Sequence, residues 1–236
     1  MTQESFGRGQ VEWALWCSFT RKRVLTADVP QIFRTRIKRL LEIDRVLKFG
    51  DAEVPPEANY AFAPPPSDDS RESAYTAVDA FCLAIALDLL DAGFKQAEVV
   101  FLMRYLRPEL QKRFPGLLTL PSVVSHQRYL AQGDLPSYER RGQSYADARL
   151  FVILQKLELT EIMPVTARGR HAVPVILKPV FCKGVTALSK KLHDIMPNRR
   201  RTVTVIELTA TAQAVQAFLE TAPVIRRGRP SLEKKK

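Results

Sequence analysis

Residues 75–106, YTAVDAFCLAIALDLLDAGFKQAEVVFLMRYL, constrain the fold of this chain more than any other stretch. They read as two helices joined at a glycine. Thr76 is placed as an N-cap, and Asp79, three residues on, can return a bond to the Thr76 amide in capping-box fashion. Ala77, Phe81, Leu83, Ala84, Leu87 and Leu90 recur at helical spacing, with Ile85 and Leu89 as a second apolar flank. Gly93 supplies the left-handed position past the first helix, and Phe94 is placed to pack back on it. In the second helix Val99, Leu102, Met103 and Leu106 face inward, and Pro108 bends or ends it. Two such faces must be buried, so an αα-hairpin inside a core is required. Any helical core would satisfy that pattern.

The 236 residues can bury one substantial core or two small ones, and 46% hydrophobic content fits a globular protein. No apolar run approaches the ~20 residues that span a bilayer. The first residues, MTQESFGRGQ, lack a basic region followed by an apolar core, so no signal peptide is expected. Cys17, Cys82 and Cys182 are few, odd in number and far apart, which predicts buried reduced thiols and a reducing compartment.

Charge is the loudest global signal. The net +11 is unevenly placed. Residues 21–48 hold nine Lys/Arg against three acids, a net +6, and residues 223–236 hold six against one, a net +5. Residues 51–103 hold two against ten, a net −8. Basic blocks separated by an acidic one suggest a polyanion-facing side and a side that avoids it. With a pI near 9.8, nucleic acid is the expected polyanion; a lipid-type amphipathic helix is missing.

Residues 9–19 read as a short apolar helix in which Trp13 and Trp16 are core anchors, since a base-stacking platform wants aromatics interleaved with basics. Arg21, Lys22 and Arg23 follow. Residues 26–49 read as a second helix, capped by Thr26 or Asp28, with Pro30 in its first turn. Ile32, Phe33, Ile37, Leu40, Leu41 and Leu47 form its apolar stripe. Arg34, Arg36, Lys38, Arg39 and Arg45 spread over the other faces, with Arg34, Lys38 and Arg45 on one side. A break near residues 30–33 would split this segment, leaving a recognition helix from about Arg34 in a helix-turn-helix. Solvated charges on a surface helix are the plainer alternative. Residues 51–73 are Pro-rich, acidic and without period, a loop or linker in which a wing or hairpin at residues 58–63 is conceivable.

Tyr75-Thr76, Asp79, Leu83, Ile85 or Ala86, Leu89, Gly93-Phe94, Glu98-Val99 and Leu102 resemble the second half of the MerR-type winged-helix DNA-binding domain. The upstream helix RTRIKRLLEID is similar to that family's recognition helix. The resemblance covers about a third of the chain. It implies that Arg34, Thr35, Arg36, Lys38 and Arg39 face DNA and that Tyr75 approaches a backbone phosphate.

Residues 107–114 continue as helix, and Pro115-Gly116, Pro121, Gly133 and Pro136 then punctuate the chain. Residues 150–159 read as strand or helix, 173–180 as strand, 184–195 as helix and 203–208 as strand. Residues 209–219 read as a helix capped by Thr209 or Thr211. No catalytic or zinc constellation emerges from His126, His171, His193 and Cys182, and no phosphate-binding glycine motif occurs. In the tail, Arg226 precedes Arg227-Gly228-Arg229-Pro230, which resembles the core of an AT-hook. Two arginines on a flat, extended backbone suit a narrow A·T-rich minor groove, and a purely electrostatic arm is the alternative.

The expected architecture is α+β. An all-helical, helix-turn-helix or winged-helix-like domain spans 1–114, a connection 115–143, a small α+β dimerisation or effector domain 144–222 and a basic disordered tail 223–236. The expected function is a bacterial-type, sequence-specific DNA-binding transcriptional regulator. It would be homodimeric on double-stranded DNA, cytoplasmic and nucleoid-associated, without catalysis or cofactor. The alternative is a non-regulatory nucleic-acid accessory factor of a mobile element or of RNA. The residues expected on DNA are Arg34, Thr35, Arg36, Lys38, Arg39, Arg45, Arg21, Lys22, Arg23 and Tyr75 in the helical part, and Arg226, Arg227, Gly228 and Arg229 in the tail.

Overall fold

The computed structural model describes residues 5–25, 28–46, 60–64, 73–120, 145–157, 176–195 and 201–223. Seven helices and one three-stranded antiparallel sheet are formed among them, an α+β arrangement.

The helices come first. α1 (Arg8–Thr20) carries Val11, Trp13, Ala14, Leu15 and Cys17 into the core. Gln10 opens it by accepting the Gly7 amide at 2.9 Å. Trp13 and Trp16 are anchors, as expected. Trp13 is 1% exposed and donates its indole N–H to the Val24 carbonyl at 2.8 Å, and Trp16 packs edge-on to Phe33, centroids 5.0 Å apart.

α2 (Gln31–Val46) is one unbroken helix. The expected first turn around Pro30 lies outside it. The Pro30 carbonyl receives the amides of Phe33 and Arg34, so the proline marks the entry; the interruption falls at residues 29–30, and the helix starts at Gln31 and not near Arg34. A residue preceding proline is driven from helical backbone, which is why the helix starts after it.

α3 (Ala77–Asp91) and α4 (Gln96–Leu118) form the hairpin expected for residues 75–106. Thr76 and Asp79 make the full capping box. Asp79 Oδ2 accepts the Thr76 amide at 2.7 Å, and Thr76 Oγ1 accepts the Asp79 amide at 3.2 Å. Gly93 takes φ +86°, and the Phe94 amide bonds back to Leu89 O. Pro108 does not end α4, and Pro115-Gly116 does not either; the helix runs through both. Both prolines lie on the exposed side, while Leu106, Leu110, Phe114 and Leu117 are buried on the other. Burying four large side chains at roughly 1.5–3 kcal/mol each offsets the ~3 kcal/mol cost of each interior proline.

After the short α5 (Tyr145–Ala148), the ambiguous segment proves to be strand β1 (Leu150–Leu157). It is the centre of a sheet of order β2-β1-β3, with β2 (Ile176–Lys183) and β3 (Arg201–Glu207) antiparallel on its two sides. α6 (Val185–Ile195) returns from β2 through Gly184 and, with Leu188, Leu192 and Ile195, covers the face bearing Ile153 and Cys182. The opposite face, Leu150, Val152, Leu154 and Ile206, joins the helical core.

α7 (Leu208–Glu220) is capped by Glu207, whose carboxylate accepts the amides of Thr209 and Ala210 at 2.9 and 2.8 Å, and not by Thr209 or Thr211. Thr209 is buried instead and accepts the Leu150 amide at 2.9 Å, tying α7 to β1. Leu208, Ala212, Val215 and Leu219 insert between α1, α3 and α4. The C-terminal helix thus completes the helical layer, and the core is continuous from α1 to the sheet. No helix among the described residues is long and apolar enough to cross a membrane.

Candidate nucleic-acid interface

α2 holds the densest cationic face, and its orientation follows from its sequence. Phe33, Ile37, Leu40, Leu41 and Asp44 point inward. Arg36, Lys38, Arg39 and Arg45 are exposed around the outer half, and Thr35 is half-buried between them.

One buried ion pair locks this helix to the hairpin, and a second, within the hairpin, braces the segment beside it. Asp44, 1% exposed, accepts Arg104 Nε at 2.8 Å on Oδ1. The same carboxylate accepts the amides of Ala61 and Phe62 at 3.0 and 3.1 Å, and the Arg104 guanidinium also reaches the Asp44 carbonyl. Three residues along α4, Arg107 Nη2 donates to Asp79 Oδ1 at 2.5 Å, and its Nη1 reaches the carbonyls of Ala61 and Phe62. Residues 61–62 are thereby held by both backbone edges, and Phe62 is fully buried. The C-terminal half of α2 is clamped to α4 by charge-assisted bonds, the stronger class of hydrogen bond. Asp79 works twice, as cap and as ion-pair partner.

The exposed cations differ in their surroundings. Arg36 pairs with Asp91 at 2.8 Å, both side chains about half exposed (49% and 61%), and Lys38 pairs with Glu42 at 3.5 Å. Arg45 donates to Ser73 Oγ at 3.3 Å. Pairs this exposed are worth ~0–1 kcal/mol and exchange readily for another anion. Arg34 is half-buried with Nε fully covered, so it belongs to the helix flank and not to its crest.

Arg21, Lys22 and Arg23 are exposed on the connection between α1 and α2. Arg23 leans over the Trp13 ring at 5.9 Å and donates to the Thr221 carbonyl at 3.4 Å, at the C-terminal end of α7. Arg21 closes α1 in left-handed backbone, φ +53°.

Tyr75 corrects the sequence reading. It is 2% exposed, exchanges two backbone bonds with Phe6 at 2.8 and 3.0 Å, and burial pushes its hydroxyl above the ordinary tyrosine range. A phosphate cannot reach a side chain so covered. Arg226, Arg227, Gly228 and Arg229 lie outside the described residues, as do His126 and His171.

Thr35, Arg36 and Arg39 come together with Gln31, Lys95 and Gln96, which the sequence did not single out, and with Ile32, Leu90 and Phe94, which it placed in apolar contacts. A cleft of ≈ 760 Å³ opens between α2 and the α3–α4 turn, lined by Thr35, Arg36 and Arg39, by Gln31 and Ile32, and by Leu90, Phe94, Lys95 and Gln96. The Gly93-Phe94 turn was legible, and it is what carries Lys95 across to α2; that Lys95 and Gln96 would line a cleft with Arg36 and Arg39 was not. Cys82 is wholly buried, and burial pushes its thiol up to about 12, so it is inert at neutral pH. Comparison with family models, curated proteins and solved structures finds no match to this chain.

Proposed function

We propose that the protein binds double-stranded nucleic acid through the outer face of α2, as a sequence-specific DNA-binding regulator of transcription of bacterial type. One observation carries this reading. A sixteen-residue helix, clamped by a buried ion pair, turns Arg36, Lys38, Arg39 and Arg45 to solvent while Phe33, Ile37, Leu40 and Leu41 are buried in the core. Such a helix is convex, cationic and rigid, the shape that enters a major groove. Lys38 and Arg45 on one flank and Arg36 on the other supply phosphate contacts that set register. Gln31, Thr35 and Arg39 on the crest can reach base edges, glutamine to adenine and arginine to guanine. Homodimerisation, through the α+β part, would place two such helices on a two-fold site. The basic tail would add minor-groove or phosphate contacts. The resemblance of the Tyr75–Leu102 pattern to MerR-type domains supports the same assignment.

Fluorescence anisotropy with duplex DNA tests it. Affinity should fall steeply between about 50 and 200 mM salt. Arg39→Ala should weaken binding about tenfold without change in melting temperature. No duplex binding at low salt would end the proposal; equal or tighter binding to single strands or RNA would move the assignment to an accessory factor.

A further inference from the structure

The cleft beside α2 combines cations of the face assigned to DNA with an apolar wall that a duplex does not use. Arg36, Arg39 and Lys95 share the cleft with Ile32, Leu90 and Phe94. Ile32 is 70% exposed, on a helix whose core face is already complete. A single exposed aliphatic residue is ordinary, but this one adjoins two further apolar side chains in one concavity. A duplex meets protein with a thick hydrophilic backbone and enters such a recess poorly. A slender segment fits, and an apolar wall rewards only an apolar side chain. The cations require that the segment be acidic.

We propose that this cleft binds an acidic peptide segment of a partner protein. One aliphatic or aromatic side chain of the segment seats against Ile32, Leu90 and Phe94, and flanking carboxylates pair with Arg36, Arg39 and Lys95. Anchoring of one apolar side chain with a charged rim is a common mode of peptide capture. The local acids are accommodated. Asp91 already pairs with Arg36 at 2.8 Å in an exposed geometry that a second carboxylate joins or replaces at little cost, and Glu98 accepts the Lys95 amide at 3.1 Å. Because Arg36 and Arg39 also belong to the face assigned to DNA, peptide and duplex exclude one another. Peptide binding itself does not depend on the DNA reading.

A display library of random twelve-residue peptides, selected on the full-length protein without nucleic acid, tests this. Enriched peptides should combine two or more Asp/Glu with one Leu, Ile, Phe or Trp. Their fluorescein-labelled forms should lose about tenfold in affinity, ~1.4 kcal/mol, on Ile32→Ser and on Arg39→Glu. Lys190→Glu, on α6, should leave them unchanged. Circular dichroism and melting confirm folding of each variant, since all three positions are exposed. Enrichment of no acidic-apolar class, or equal binding to wild type and both cleft variants, would overturn the proposal. So would tighter binding of a synthetic peptide of residues 51–73, which would assign the cleft to the chain's own acidic segment. So would a duplex that loses as much affinity as the peptides on Ile32→Ser. Displacement of bound peptide by excess duplex supports both readings; a peptide that binds while no duplex does removes only the DNA assignment.

Discussion

Asp44 shows how much one buried carboxylate can organise. It takes Arg104 and two backbone amides from a segment seventeen residues downstream. Removing it leaves a guanidinium that is 12% exposed without its charge partner and orphans the Ala61 and Phe62 amides. Asp44→Ala should therefore cost about 3–5 kcal/mol in urea unfolding, far above a surface substitution. A loss below ~1 kcal/mol would mean the pair is not closed in solution. Asp88 acts in the opposite sense. Burial, helped by the neighbouring Asp91 charge, lifts its carboxyl from 3.8 to about 6. The folded state thus holds a proton that the unfolded state has released between those values. This group's contribution to stability falls as pH rises from about 4 to 6 and stays unfavourable above. Asp88→Asn should match the parent near pH 4 and exceed it by about 1–3 kcal/mol at about pH 7.5, since each tenfold change in proton affinity between the two states is worth ~1.4 kcal/mol. A constant difference across that range would show that Asp88 titrates normally.

Among the elements, two glycines in left-handed backbone have unequal duties. Gly93, φ +86°, joins α3 to α4 with nothing within 4 Å of where a Cβ would stand. Its substitution meets only the backbone penalty, about 1 kcal/mol for Gly93→Ala. Gly184, φ +88°, leads from β2 into α6, and a Cβ there would stand 3.0 Å from Asp147 Cα and 3.1 Å from its carbonyl oxygen. Backbone cannot yield as a side-chain tip can. Gly184→Ala should destabilise by at least ~1 kcal/mol more than Gly93→Ala, read as the difference in melting midpoints. Equal losses would show that α5 shifts freely. α4 carries the contrasting lesson about proline. Its interior prolines survive because the face opposite them is buried along its whole length. Pattern alone leaves open whether Pro108 bends or ends the helix, and the buried face carries it through.

At the scale of the molecule, the final helix decides whether the rest folds. α7 is the last of the described elements and sits between α1, α3 and α4. Trp13 meets Phe218 edge-on with centroids 6.2 Å apart, and Gln213 donates to the Leu117 and Leu120 carbonyls at 3.0 and 2.6 Å, closing the end of α4. A chain ending at residue 200 would expose the seats of Leu208, Ala212, Val215 and Leu219. It should lose cooperative unfolding and near-ultraviolet dichroism while keeping helical signal. Retained cooperative melting would show that the helices before the sheet fold alone.

The hairpin at residues 75–106, its capping box, the Gly93 turn, the Phe33, Ile37, Leu40 and Leu41 stripe of α2 and the β3 strand were legible in the sequence, because each rests on local chemistry that repeats every two or 3.6 residues; Ile32, expected in that stripe, is 70% exposed, and Leu47 lies outside the described residues. The cationic residues of α2 were legible as a set for the same reason. Which of them reach solvent together was not. Tyr75 is hidden by a bridge to Phe6, and Lys95 meets Arg36 and Arg39 across a cleft, through contacts between residues more than fifty positions apart. The path of α4 past Pro115-Gly116, the capping of α7 by Glu207 and the place of α7 inside the helical layer share that origin. Periodicity says which face of an element is buried. Only the closing of distant segments on one another says against what, and the candidate site is made of such closures.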